Sequence, residues 1–586
     1  MKSNNSYSLH TMRHSCEHVL HMAMENLYPG IKAAMGPATE EGFYFDFDHG
    51  KHKISEIDFP KIEKEMKNIV QQNIPITKKE INIKEGKSLF KNNSYKQEWL
   101  AEIQKKGTKP TLYYIGKDFV DLCSGPHIES TGKIGPFKLL AVAGAYWHGD
   151  EKNKMLTRIY GTCFASQKEL DDYLKQQLEA EKRDHRVLGK KLELFIIDDE
   201  VGPGLPLWLP KGAFIRHKIM EFALNTYMDR GYQLVSTPHI ASNDLWQHSG
   251  HLDFYKESMY GSFGVENKKY RLKPMNCPLQ VKMYTARPRS YKELPIRWTE
   301  MGTVYRFEKT GVLHGLTRVR GFTQDDAHII CTPDQLHKEL KSALEITLYL
   351  LKVFGFKDFE MNLSVRDPKE KKKFIGQGKD WDKAESALKK AMASLGYKNY
   401  VLDVGGAVFY GPKVDVKVAD SLGRKWQLTT IQVDFNLPGR FKMNYIDKEG
   451  KQQTPFMIHR ALLGSLERFI GVYIEHTAGA FPVWLAPTQA IIIPIAERHS
   501  KYASELKSKL SESSIRVDVD DRSESMQKKI REAEEQKIPY MIIVGDKEEK
   551  ENTISIRQRG KKNLGKMKIE EFIQKIKKEI EEKTIF

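Results

Sequence analysis

Long hydrophobic runs are missing. No stretch of 18 or more apolar residues occurs, and a membrane-crossing helix needs about 17–25 of them, so no membrane association is expected. The N-terminal MKSNNSYSLHTMRH has no apolar segment of the kind a secretory signal requires. Cysteine is scarce, with five in 586 residues, at positions 16, 123, 163, 277 and 331. That number and spread exclude a disulfide scaffold and suit a reducing, cytoplasmic compartment. The absence of internal repeats excludes a repeat architecture, and no segment is of low complexity. Acidic charge is in deficit, with 77 Asp+Glu against 94 Lys+Arg and a formal net charge of +17. A basic surface attracts polyanions at long range. A lysine-rich composition with solvated faces gives the same sum, so charge alone does not name nucleic acid.

What is present is globular material, 40% hydrophobic and 29% charged. At about 100–200 residues per domain, the length suggests roughly three to five domains. Residues 1–165 mix helix and strand signals. In DFPKIEKEMKNIV, Asp58 is placed to cap a helix whose apolar face is Phe59, Ile62, Met66, Ile69 and Val70. SQKE (166–169) has the capping-box pattern, and Leu170, Leu174 and Leu178 recur every four residues. Residues 166–200 are therefore expected to form an exposed connecting helix. The Pro/Gly-rich VGPGLPLWLPKG opens the largest block, 201–485, expected to be an antiparallel α+β domain. YQLVSTP reads as a strand stopped by Pro238, and about 457–475 as an amphipathic helix. After LAPTQ, buried strands alternate with helices over 486–586. This predicts a small parallel α/β domain ending in the amphipathic helix KIEEFIQKIKKEIEEK.

Three stretches carry chemistry. In TVYRFE, side-chain alternation puts Val304, Arg306 and Glu308 on one face. A polar turn with Arg318 and Arg320 follows, and then GFTQDDAHIIC, where Gln324, Asp326 and His328 share a face. An amide, a carboxylate and an imidazole side by side are costly to bury unpaired. The flanking Phe322, Ile329 and Ile330 argue for a polar pocket floor rather than a solvated edge. Near the start, RHSCEH places His14 and His18 four apart around Cys16. That pattern suits half a metal site, a hydrolytic site, or one turn of an ordinary helix.

These residues carry a resemblance. YRFE and RVRGFTQDDAHIIC resemble the second signature motif of class II aminoacyl-tRNA synthetases. LLGSLERFIG resembles the third, and GAFIRHKIMEFALNTYMDRGYQLVSTP the first. Within that class, LKPMNCP, TQDDAH, FYGPK and FMIHR resemble the threonyl-tRNA synthetases over nearly the whole chain. The resemblance implies adenylation of threonine by ATP with Mg²⁺, followed by transfer to tRNA(Thr). It assigns Arg306 to the α-phosphate and threonine carboxylate, Arg468 to the γ-phosphate, Glu308 to the adenine amino group and Arg318 to phosphate. His251, in SGHLDFY, is assigned to the transfer step. Gln324, Asp326, Tyr410 and Gln432 would form the threonine pocket. One zinc ion per subunit is implied on Cys277, His328 and His459, which are too far apart in sequence for spacing to reveal. A thiolate and two imidazoles leave an open position, which a hydroxyl-bearing substrate can fill and valine cannot.

Serine has that hydroxyl and lacks only a methyl, worth about 1–3 kcal/mol. Accurate charging therefore needs a second, hydrolytic sieve. HSCEH and DLCSGPH together resemble the editing domain of bacterial threonyl-tRNA synthetases. This makes His14, His18, Asp121, Cys123 and His127 a hydrolytic site for mischarged Ser-tRNA(Thr), working through positioned water. In the C-terminal domain the resemblance puts Arg531, Glu548 and Arg557 at positions facing anticodon bases, where arginine to guanine is a physically sensible pairing. Many bacterial relatives begin with a ubiquitin-like domain, for which the dozen residues before Arg13 leave no room. A homodimer formed through the first motif is expected. The competing readings are a prolyl or seryl synthetase, which the Cys277/His328/His459 set disfavours, and a tRNA- or mRNA-binding regulator without catalysis, which Arg306, Glu308 and Arg468 disfavour.

Overall fold

The computed structural model describes residues 7–370, 373–420 and 423–585, the side chain of Phe254 aside. The chain divides into two compact units, Met1–Leu178 and Glu179–Phe586.

The first unit opens with α1 (Leu9–Leu27), capped by Ser8, whose Oγ accepts from Thr11 N at 3.2 Å. Its buried stripe of Met12, Cys16, Val19, Leu20 and Ala23 follows the helical period. It packs in one apolar core with α2 (Phe59–Gln71) and an antiparallel sheet. That sheet is built from β1 (Lys32–Met35), β2 (Phe43–Asp48), β6 (Phe137–Tyr146) and β7 (Met155–Cys163) in the order β1–β2–β7–β6. A second antiparallel sheet joins β3 (Ile76–Glu80), β4 (Thr111–Ile115) and β5 (Phe119–Leu122), with α3 (Ile83–Leu89) and α4 (Ser94–Lys105) between β3 and β4. Asp58 does not cap α2 with its side chain. Its carboxylate accepts from Ser55 N at 2.9 Å and closes the 3-10 turn ahead of the helix, because Ser55 supplies the better-placed extended residue.

The capping box of SQKE is present, with Ser166 N donating to Glu169 Oε2 and Glu169 N to Ser166 Oγ. The connecting helix is two helices, α5 (Gln167–Arg183) and α6 (His185–Lys191), because Asp184 leaves helical geometry to cap α6.

The second unit is organised by a sheet of eight strands among the described residues: β8 (Gln233–Leu234), β9 (Ile296–Tyr305), β10 (Gly321–Cys331), β11 (Phe359–Val365), β12 (Val401–Val404), β13 (Lys413–Ala419), β14 (Lys425–Asp434) and β15 (Phe456–Ser465). Their order is β8–β9–β10–β15–β14–β13–β11–β12, parallel only at its two edge pairs. The strand expected in YQLVSTP shrinks to the two residues of β8. Helices α7 (Pro210–Met228), α9 (Leu336–Val353), α10 (Gly378–Ser394) and α11 (Leu466–Thr477) share one apolar core with the sheet. The short α8 (Cys277–Tyr284) precedes β9 in the chain.

The largest difference from the sequence expectation is FMIHRALLGS, which is strand β15 and not helix. A central strand buried along nearly all its length is mostly apolar on both faces and looks like a buried helix. The helix starts only at Leu466, where Ser465 Oγ accepts from Arg468 N at 3.2 Å. Gly464, one residue before the strand's end, has φ +73°, and a Cβ there would sit 2.3 Å from the Leu428 carbonyl oxygen.

The C-terminal sheet consists of β16 (Ala490–Pro494), β17 (Val517–Val519), β18 (Tyr540–Val544), β19 (Ile554–Gln558) and β20 (Lys562–Met567), in the order β17–β16–β18–β19–β20. It is mixed and not wholly parallel, because β18, β19 and β20 pair antiparallel. Around it lie α12 (Ser500–Glu512), α13 (Met526–Glu535), α14 (Asp546–Glu551) and the expected terminal helix α15 (Ile569–Glu582). No helix among the described residues is long and apolar enough to cross a membrane.

Candidate active sites

The second unit holds an open cavity of about 350 Å³, at the lower end of the roughly 300–1,000 Å³ of small-ligand clefts. Strand alternation builds its floor. Gln324, Asp326 and His328 of β10 line it, while Ala327 and Ile329 enter the core behind. Register extends the floor sideways, with His459 of β15 opposite His328 and Gln432 of β14 opposite His459. Cys277 enters from the first turn of α8, and Asn276 beside it donates to Asp326 Oδ2 at 2.9 Å. Asp325 points the opposite way. Its buried carboxylate accepts from the backbone amides of Leu462, Leu463 and Gly464 where the β10–β15 pairing is irregular.

Cys277, His328 and His459 bring one ligand atom each to within 4.8 Å of one another. Their hydrogen bonds select tautomers. Gln280 donates its amide nitrogen to Glu300, so its Oε1 accepts from His328 Nδ1 at 2.9 Å and leaves Nε2 bare. His459 Nε2 donates to Asp434 Oδ2 at 3.0 Å and leaves Nδ1 bare. Burial, with the neighbouring His459 and Arg460 side chains, pushes the His328 imidazolium well below its ordinary range, so the ring is neutral. A sulfur and two imidazole nitrogens whose second nitrogens are held by oriented partners fit a zinc ion with an open position. Burial also raises the Asp326 carboxyl, against the Asn276 hydrogen bond.

The rim is cationic. Arg306 lies 5.2 Å over the Phe322 ring, and Arg468 donates to the Thr317 carbonyl at 2.9 Å and the Gln427 carbonyl at 3.2 Å. Burial and the nearby Arg306 and Arg318 lower the Arg468 pKa, against the opposing pull of Glu308. Arg318 pairs with Glu308 at 3.1 Å. His251 is buried beside the floor, with Nδ1 2.8 Å from Ser249 Oγ and Nε2 3.2 Å from Met275 Sδ. It shares a side cavity with Tyr255, Cys277 and Tyr410. Burial and the cations around it lower its pKa to about 4.

In the first unit, α1 carries His14 and His18 to the turn after β5 that bears Cys123 and His127, and these four can converge on one point within 4.8 Å. Cys123 Sγ lies 3.3 Å from His14 Nε2 and 3.2 Å from His127 Nε2. The far nitrogens are held, His14 Nδ1 by the Pro126 carbonyl and His127 Nδ1 by Ser15 Oγ. Both nitrogens of His18 are buried without a hydrogen-bond partner among the described residues. Burial lowers the His18 pKa to about 3 and also lowers that of His127, while it pushes the Cys123 thiol up to about 12. The centre is therefore neutral imidazoles around a protonated thiol, suited to orienting water and not to thiolate attack. Behind it Asp121 bonds Lys96 Nζ at 2.5 Å and His21 Nδ1 at 3.1 Å. Burial alone would raise the Asp121 carboxyl, but Lys96 and His21 hold it well below the usual carboxylate range.

The structure brings both sets of residues together, and the sequence reading did not anticipate the side chains around them. Gln280, Asp434, Lys96 and the buried Glu17 carried no local signal, whereas His21, one turn past His18 on the same helix face, did. In the C-terminal sheet domain Arg531 is exposed on α13, and Arg557 lies 3.9 Å from Glu534. Glu548 does not face outward as expected. It is buried, accepting from Gly545 N at 3.1 Å and Ser555 Oγ at 2.8 Å, and so closes the start of α14.

The family described as "tRNA synthetase class II core domain (G, H, P, S and T)" matches residues 262–477. "Anticodon binding domain" matches 489–579, and "Threonyl and Alanyl tRNA synthetase second additional domain" matches 111–160. A threonine–tRNA ligase of Sulfurihydrogenibium is 50% identical over 100% of this chain and 91% of its own length. The chain belongs to the threonine–tRNA ligase family. The family's Aquifex aeolicus member is 49% identical over 98% of this chain and 90% of its own. A crystal structure of the RNA binding domain of threonyl-tRNA synthetase from Cryptosporidium parvum matches with TM-score 0.63 and 40% identity, covering 68% of this chain and 98% of that one. Membership accounts for the architecture: a class II core on an antiparallel sheet, an anticodon-binding domain and an editing domain.

Proposed function

We propose that this chain activates L-threonine with ATP and Mg²⁺, transfers it to tRNA(Thr), and hydrolyses Ser-tRNA(Thr) formed in error. The observation that carries the reading is the convergence of Cys277, His328 and His459 on the floor of a cavity rimmed by Arg306 and Arg468. Arg306 would hold the α-phosphate and the threonine carboxylate, Arg468 the γ-phosphate, and Arg318 a further phosphate oxygen. Adenylation builds charge on phosphate oxygens, so fixed cations in a buried cleft lower its barrier. Glu308 accepts from the adenine amino group through Oε1, while Arg318 holds Oε2. A zinc ion held by Cys277, His328 and His459 would supply an open position for the amino and hydroxyl groups of threonine, which valine cannot satisfy. Asp326, Gln324, Tyr410 and Gln432 orient the amino acid, and His251 serves the transfer step.

Serine passes this filter with a loss of only about 1–3 kcal/mol, which gives the first unit its purpose. There His14, His18 and His127 hold water against the seryl ester, Cys123 stays a thiol, and Asp121 fixes the wall behind them. We assign editing to 1–165, the connecting helices to 166–200, catalysis to 201–485 and anticodon binding to 486–586, the last through Arg531 and Arg557. A cytoplasmic homodimer paired through 212–238 completes the reading. ATP–pyrophosphate exchange is the test: threonine should support it in the presence of zinc, valine should not, and no exchange with threonine would refute the proposal.

A further inference from the structure

The loop between β9 and β10 carries Glu308 and Arg318, yet little of it belongs to the sheet. What fixes it is a histidine from far upstream. His185, at the first position of α6, is fully buried. Its Nδ1 lies 2.7 Å from Glu475 Oε1, and its backbone N–H reaches the same oxygen at 3.3 Å. Its Nε2 receives the Leu316 backbone N–H at 3.0 Å. A carboxylate on one side and an N–H donor on the other allow a single arrangement, the neutral ring with its proton on Nδ1. Glu475 therefore selects the tautomer that can accept from the loop.

The surroundings leave the loop no other seat. Gly315 has φ +46°, and a Cβ there would come within 2.1 Å of His185 Nε2. A Cβ on Gly471 would meet Leu316 Cβ at 3.2 Å, Thr317 Cγ2 at 3.3 Å and the His185 ring at 3.4 Å. One residue further along the loop, Arg468 donates to the Thr317 carbonyl at 2.9 Å. Arg468, Gly471 and Glu475 are spaced i, i+3, i+7 along one face of α11. One helix face thus holds the loop twice, directly through Arg468 and indirectly through Glu475 and His185.

We infer that His185 is a positioning residue for ATP: by accepting from Leu316 N–H in the tautomer set by Glu475, it fixes where Arg318 and Glu308 stand in the cavity. His185 touches no substrate. Arg318 is two residues beyond Leu316, so a shift of that peptide displaces the Arg318–Glu308 pair, while the threonine floor on β10, β14 and β15 is untouched.

The inference rests on the reading of the loop as an ATP contact, and wild-type exchange in parallel separates the two. Without threonine-dependent exchange the reading fails; with it, the variants judge His185 alone. In His185→Ala the Leu316 N–H is left without its acceptor, and the KM for ATP should rise about tenfold, with the KM for threonine and the zinc content unchanged. His185→Gln, whose side-chain carbonyl can reach the same N–H, should recover most of that loss. Glu475→Gln keeps an oxygen that can accept from Nδ1 but loses the carboxylate charge, so it weakens the tautomer selection and should give a smaller rise in the ATP KM alone, a second reading should His185→Ala fail to fold. Equal rises in both KM values, no change in either, or a His185→Gln variant as impaired as His185→Ala would each overturn the inference.

Discussion

His328 and His459 face each other from neighbouring antiparallel strands, ring centroids 4.7 Å apart and nearly perpendicular at 85°. Each ring spends one nitrogen on a fixed acceptor and turns the other towards Cys277. Partners of this kind set ligand orientation, and their loss typically costs about 10–100-fold in metal affinity. Gln280→Leu and Asp434→Asn should each weaken zinc retention by about that factor, measured by competition with a chromogenic chelator. Cys277→Ser should abolish stoichiometric zinc. Elemental analysis should find one zinc per wild-type chain, and two would mean that the four-residue centre on α1 also holds an ion.

That second centre is expected to work without a thiolate. With the Cys123 thiol pushed up to about 12, the ionised fraction near pH 7.5 is negligible. Iodoacetamide should label Cys123 slowly, as followed by peptide mass spectrometry. Cys123→Ala should retain much of the hydrolysis of Ser-tRNA(Thr), whereas His14→Ala and His18→Ala should lose about 100-fold or more if they orient the water. Hydrolysis undiminished in both histidine variants would remove the site assignment.

What the sequence made legible depends on how local each signal is. The face shared by Gln324, Asp326 and His328 needs only strand alternation, and the structure keeps it. The capping box at Ser166 and Glu169 needs only four residues, and it too is present. FMIHRALLGS misled because a strand buried on both faces shows no period of two. Its neighbours β10 and β14, roughly 130 and 25 residues back in the chain, decide its state. Tertiary contact also decided Glu548, an acidic residue in a charged stretch that turns inward to close α14. The proposed zinc ligands were reached through family resemblance alone, since only strand register places His459 beside His328.

The buried pair of Lys96 and Asp121 gives a stability test for the first unit. Both side chains are almost wholly buried, and removing one partner of such a pair costs about 3–5 kcal/mol because the other charge is left unpaired. Lys96→Met should lower stability by that order in chemical denaturation. The pH dependence has a fixed sign. A carboxyl held below its unfolded value of about 3.9 contributes stability that is fully present above that pH and lost as pH falls through the lower folded value. The gap between wild type and Lys96→Met should therefore be constant above about pH 5 and shrink below about pH 4. A gap that widened on acidification would show that Asp121 is not the group stabilised by Lys96.

Arg468 offers the sharpest separation of ATP from threonine. Its guanidinium is held by two carbonyls, lies 5.7 Å over the Trp426 ring and has no carboxylate among its hydrogen-bond partners in the described residues. A cation placed this way has its charge free for a phosphate, and removing a preorganised group at a developing charge costs about 10²–10³ in rate. Arg468→Ala should reduce exchange turnover by that factor and leave threonine binding, measured calorimetrically without ATP, within about twofold of wild type. Arg468→Lys should recover only part, because one ammonium cannot keep both carbonyls and reach a phosphate at once. If Arg468→Ala instead weakened threonine binding while sparing the ATP KM, the arginine would belong to the amino-acid side of the cavity and the assignment to the γ-phosphate would fall.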